Sequence, residues 1–117
     1  MLVMTHDTAG STGVDYELIR DKIFRISPRF MSSMERREAG PNAGSDRLHI
    51  YWGAKESLFK KHGTGSLTFS EDLYVEPFRN CEEGETRGII RVGGEHTVNK
   101  IAYKKYGTHM LVYIIND

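Results

Sequence analysis

The sequence predicts an α+β fold: an N-terminal amphipathic helix, then a small antiparallel sheet with two short helices, in the βαββαβ order of a ferredoxin-like arrangement. Three observations predict it. Ile19, Ile23, Ile26 and Phe30 recur at spacings of four, three and four, which lays one apolar stripe along a helix. Arg47 to Trp52, Ser66 to Phe78 and Arg87 to Val92 alternate apolar and polar residues, the period of a strand. The last run, Met110 to Ile115, is apolar on both faces and needs a place inside a sheet, because an exposed edge of that kind invites aggregation.

In order along the chain, residues 1–13 form a flexible lead-in of small and polar residues, with Leu2-Val3-Met4 as its apolar handle. The domain itself runs over 14–117. Thr12 and Asp15 have the spacing of a helix start, and Asp21 and Arg25 pair at i,i+4 on the wet side. Pro28 lacks an amide hydrogen, so this helix should kink or end near Ser27. Arg37 to Ser45 is a loop by composition. In the first strand Leu48, Ile50 and Trp52 point one way and His49 and Tyr51 the other. Ala54 to His62 is a short helix burying Leu58 and Phe59 and stopped by Gly63. In the second strand Leu67, Phe69, Leu73 and Val75 are in phase, with a bend at Ser70-Glu71-Asp72. Asn80 to Glu85 is a polar turn before the third strand.

Two readings compete after Gly93-Gly94. A Gly-Gly pair between apolar runs signals a hairpin. Against that, Thr97 could cap a helix whose Val98, Ile101 and Ala102 share a face, with Lys104 and Lys105 in its last turn and Gly107 beyond. The helix is favoured.

Composition narrows the function classes. The chain has 117 residues, enough for one domain with its own core. Sixteen basic and sixteen acidic residues cancel, which argues against a strong non-specific polyanion binder. The lone Cys81 excludes an intrachain disulfide framework and favours a reducing, cytoplasmic setting. No apolar run is long enough to span a bilayer, and the first residues lack the pattern of a signal peptide, so no membrane is expected. The histidines show neither H-x-x-x-H nor C-x-x-C order, and no metal or other cofactor is expected.

Several residues could carry binding. Lys100, Tyr103, Lys104, Lys105, Tyr106 and His109 form the densest basic-aromatic cluster, suited to phosphate or an acidic partner. Met31 and Met34, with Phe24 and Phe30, exceed what one stripe must bury, and Met-rich surfaces adapt to partners. His96 and His109 flank the expected helix, where Glu95 and Arg91 could join them as an acid/base pair with a cationic stabiliser.

The stretch Leu48-His49-Ile50-Tyr51-Trp52 and the stretch Arg87-Gly88-Ile89-Ile90-Arg91-Val92 resemble the first-strand and third-strand motifs of the RNA-recognition motif family. Leu58-Phe59-Lys60-Lys61-His62-Gly63 is similar to the end of its first helix. The resemblance implies the same topology and RNA binding. Read from the residues alone, His49 and Tyr51 share a strand face that could stack on single-stranded bases. Ile89 and Arg91 stand where that family places aromatic rings.

The leading functional expectation is a non-catalytic protein-interaction or assembly module, of the size of a viral or phage accessory protein, that binds a protein partner or another copy of itself. The second is a single-stranded nucleic-acid binder. The third is a metal-independent, histidine-based ribonuclease or phosphoesterase.

Overall fold

The computed structural model describes residues 13–63 and 66–115, and the expected N-terminal lead-in, with its Leu2-Val3-Met4 handle and Thr12, lies outside them. The fold is mixed α+β: a curled antiparallel sheet of five strands with helices packed on one face. Its elements are β1 (Val14–Leu18), α1 (Ile23–Phe30), α2 (Ser33–Ala39), α3 (Ser45–His62), α4 (Phe69–Asp72), β2 (Leu73–Val75), β3 (Glu83–Val92), β4 (Glu95–Tyr106) and β5 (His109–Ile114). The strand order β1-β5-β4-β3-β2 is not ferredoxin-like.

The final strand behaves as its composition demands. β5 lies between β1 and β4, with Val112 opposite both Asp15 and Tyr103. Met110, Val112 and Ile114 point into the core, where they meet Ile101 and Tyr103 of β4 and Leu58 of α3.

Other segments depart from expectation for identifiable reasons. The N-terminal helix begins only at Ile23, because Val14 to Leu18 hydrogen-bond along β5 as an edge strand. Pro28 does not end α1: the Phe24 carbonyl it leaves without an amide accepts the Ser27 hydroxyl at 3.3 Å. Leu48 to Trp52 is helical. α3 is clasped between the sheet and α1, so Leu48, His49, Ile50 and Tyr51 are buried in succession, a pattern no half-exposed strand gives. Gly63 does end this helix, in the left-handed conformation at φ 85°. The segment before Val75 is one turn of helix, and only Leu73–Val75 pairs with β3. Glu83 to Glu85, expected in a turn, already pair with β4.

The largest correction is at 95–106, which is strand and not helix. Gly93 and Gly94 take φ of 59° and 82°, the left-handed pair of a two-residue hairpin, and β3 and β4 pair from Val92↔Glu95 to Glu83↔Lys104. The helix-stop chemistry of Lys104, Lys105 and Gly107 serves instead as a strand end and the next tight turn.

One buried ion pair ties the helical layer together. Lys55 of α3 and Glu35 of α2 are both fully buried, with Nζ 2.7 Å from Oε1. Lys55 also donates to the Phe69 carbonyl, while Glu35 accepts the amides of Ser32 and Val75. Burial pushes the Lys55 pKa down and Glu35 opposes the shift. Four elements thus meet at one satisfied pair, which fixes the rotation of α3. No helix among the described residues is long and apolar enough to cross a membrane.

Candidate active site

β1 inverts the usual pattern of an edge strand. Its alternation turns Tyr16 and Leu18 outward and Asp15 and Glu17 inward, beneath α3. The absence of a side chain at residue 53 lets α3 approach Val112 of β5 and leaves room beside Asp15. A Cβ on Gly53 would lie 2.5 Å from Val112 Cγ2 and 3.3 Å from Asp15 Oδ2. Asp15 is only 6% exposed.

Helix α3 brings further charged groups to this point. Glu56 and Lys60 are four residues apart and share a helix face. Lys60 Nζ lies 3.5 Å from Asp15 Oδ1 and donates to the Val14 carbonyl at 2.8 Å. One turn earlier, Trp52 Nε1 donates to Glu17 Oε1 at 3.1 Å. Asp15 and Glu17 are neighbours on this face, close enough for the Glu17 charge to act on Asp15.

The electrostatics follow from this crowding. Burial, then the neighbouring Glu17 charge, push the Asp15 pKa up to about 8, against the pull of Lys60. Burial also raises Glu56, with Lys60 opposing and Glu17 adding. Carboxylates held at raised pKa values beside a lysine are poised for proton transfer or for a cation.

A cleft of about 420 Å³ opens beside the acids, between β1, α1 and α3. Glu17, Trp52, Arg20, Lys22, Ile23 and Ile26 line it. His49 closes it: Nδ1 bonds the Ser45 carbonyl at 2.9 Å and Nε2 accepts the Arg20 amide at 3.4 Å. A larger hollow of about 680 Å³ lies over the loop at 39–47 with Cys81 at its edge. The smaller one is lined by Glu17 of the acid cluster and by Trp52. In the larger, Asp46 is already paired with Lys105 at 2.8 Å, and burial pushes the Cys81 thiol pKa up, away from nucleophilic use.

The residues singled out in the sequence fall elsewhere. β4 splits the basic-aromatic cluster between two faces. Lys100, Lys104 and Tyr106 are on the outer face, while Tyr103 is buried with its hydroxyl on the Asn80 carbonyl, and Lys105 points inward to Asp46. His96 and Glu95 stand at the exposed tip of the hairpin, with His96 opposite Arg91. His109 pairs with Tyr106 and stacks on Tyr16 with ring centroids 4.9 Å apart. Ten residues of strand, about 33 Å, separate the two histidines, so they form no acid/base pair. Met31 is buried and Met34 exposed. His49 and Tyr51 lie inside α3's packing and not on an open sheet face, which removes the stacking platform.

Asp15, Glu17, Trp52, Glu56 and Lys60 were not identified from sequence as a site. The available signal was two acids at strand spacing followed, in a helix, by an acid and a base four apart.

Comparison with known families supplies the activity class. A search of curated protein sequences gives no match. A family model, the 4'-phosphopantetheinyl transferase superfamily, matches residues 11–109, which includes every element of the site. That family is catalytic. The match overturns the expectations of a non-catalytic assembly module, a viral accessory protein, an RNA-binding domain and a histidine ribonuclease. The chain belongs to the 4'-phosphopantetheinyl transferase superfamily.

Proposed function

We propose that this chain transfers a 4'-phosphopantetheinyl group from a diphosphate donor of the coenzyme A class to a hydroxyl on a protein acceptor, at the site between β1 and α3. The observation that carries this reading is the convergence of Asp15 and Glu17 with Glu56 and Lys60 inside the matched region. In the reaction the acceptor oxygen forms a bond to phosphorus, the phosphoanhydride bond breaks, the nucleotide phosphate leaves with the electron pair, and the hydroxyl proton passes to a base.

The donor set suits a hard divalent cation. Asp15, Glu17 and Glu56 supply carboxylate oxygens without histidine or cysteine. Among the described residues no three His, Cys, Asp or Glu side chains are arranged to hold an ion by themselves. Mg²⁺ fits such a site, because it takes one or two carboxylates and completes its shell with water and substrate phosphate. Asp15 and Glu17 would hold it, and bound there it would neutralise charge developing on the diphosphate. Glu56, half-buried with a raised pKa, accepts the acceptor's proton. Lys60 adds positive charge beside the phosphate.

The protein acceptor docks on α1. Phe24 is 47% exposed there and stands among exposed Lys22, Arg25 and Arg29, next to the cleft that ends at Glu17. A partner with an acidic surface around an apolar contact matches that face.

The test uses coenzyme A labelled on its pantetheine arm, Mg²⁺, and a panel of carrier proteins bearing a candidate serine. Label and the mass of a phosphopantetheine group should appear on an acceptor, and chelator should abolish both. Absence of both acceptor labelling and donor cleavage across the panel would overturn the reading.

A further inference from the structure

We propose that Trp52 is a positioning residue for the acid site: its indole N–H holds Glu17 in the orientation in which Glu17 and Asp15 receive a divalent cation together. The inference rests on the reading of the β1–α3 site given above.

Glutamate is a flexible side chain, and fixing it costs rotamer entropy that some contact must offset. Glu17 is half-buried on an edge strand, at the mouth of the 420 Å³ cleft. The contact comes from α3: Trp52 Nε1 to Glu17 Oε1, 3.1 Å. Trp52 is itself immobilised, with its ring 5.1 Å from Phe30 of α1 and 5.8 Å from Phe69 of α4, centroid to centroid. Three helices therefore aim one N–H at one carboxylate oxygen.

The chemistry of that donor matters. An indole nitrogen donates and never accepts, so it favours the ionised carboxylate and cannot ligate a cation itself. The bond is therefore compatible with a cation held at the carboxylate. Outer contacts of this kind orient a ligand, and their loss typically costs 10–100-fold in metal affinity.

The chain has one tryptophan, which makes a clean test possible. Replacing it during expression by benzothienylalanine keeps the ring shape between Phe30 and Phe69 but removes the N–H. Mn²⁺ affinity, read by electron paramagnetic resonance, should fall about 10–100-fold in that protein and in Trp52→Phe. The loss should vanish in a Glu17→Gln background, since the two groups act through one contact. Thermal unfolding of the isostere protein should match the parent, which separates positioning from packing. If the parent binds Mn²⁺ and the isostere protein binds it equally well, the positioning role is overturned and the site reading stands. If the parent binds no Mn²⁺, the cation site and this inference fall together.

Discussion

Gly53 and Asp15 illustrate how closely single residues set this site. The Asp15 carboxylate occupies room that a methyl group on residue 53 would contest, and Val112 closes the other side. The added methyl would meet fully buried Val112 first, so Gly53→Ala should lower folding stability as well as transfer, and a denaturation curve beside kinetics would check both. Asp15 also imposes a pH dependence. Its native pKa, about 8, lies above the ordinary 3.8, so between those values the native protein holds a proton that the unfolded chain has released. Its contribution to stability is complete below 3.8 and is lost as pH rises through about 8. The slope is at most ~1.4 kcal/mol per pH unit. Urea unfolding in chelator at pH 5 and pH 8 should show this loss in the parent and a smaller one in Asp15→Asn. The buried pair gives a third test: Lys55→Met strands the Glu35 charge and should cost ~3–5 kcal/mol. A loss under ~1 kcal/mol would mean that Glu35 finds another partner.

At the scale of elements, β5 was legible because a strand apolar on both faces has one solution, an interior place in a sheet. Ile114→Ala should cost ~2–5 kcal/mol by denaturant midpoint, as a large-to-small change in that buried strand. The elements misread are those where local pattern and burial disagree. β1 hid because its inward residues, Asp15 and Glu17, are acids, so the apolar residues that would reveal a strand's core face are on its outside. The candidate site here breaks the pattern by which a strand is recognised. Leu48, Ile50 and Trp52 alternate by chance within a helix buried on several sides, and periodicity cannot separate those cases over so short a run. In β4, Thr97 before Val98, Ile101 and Ala102, with Lys104, Lys105 and Gly107 near the end, imitates a capped helix. Only the Gly93-Gly94 signal pointed correctly, and it competed with four helix-like features. The resemblance to the RNA-recognition motif failed for the same reason: its first-strand match falls on α3.

Across the whole molecule, a net charge of zero conceals a division of labour. Acids gather between β1 and α3, and cations line α1 and the mouth of the cleft. Substituting Phe24→Ser with Arg25→Glu should raise KM for the protein acceptor at least several-fold and leave donor affinity unchanged, because both side chains are exposed on α1. Equal KM values would remove α1 as the docking face. The central claim, that the chemistry resides between β1 and α3, is tested most directly by transfer rates of Glu56→Gln beside Lys104→Glu under identical donor, acceptor and Mg²⁺ concentrations. Glu56→Gln should slow transfer ~10²–10⁴-fold while remaining folded, and Lys104→Glu, on the outer sheet face, should transfer like the parent. Full activity in Glu56→Gln together with a large loss in Lys104→Glu would contradict the account and move the active site to the opposite face of the sheet.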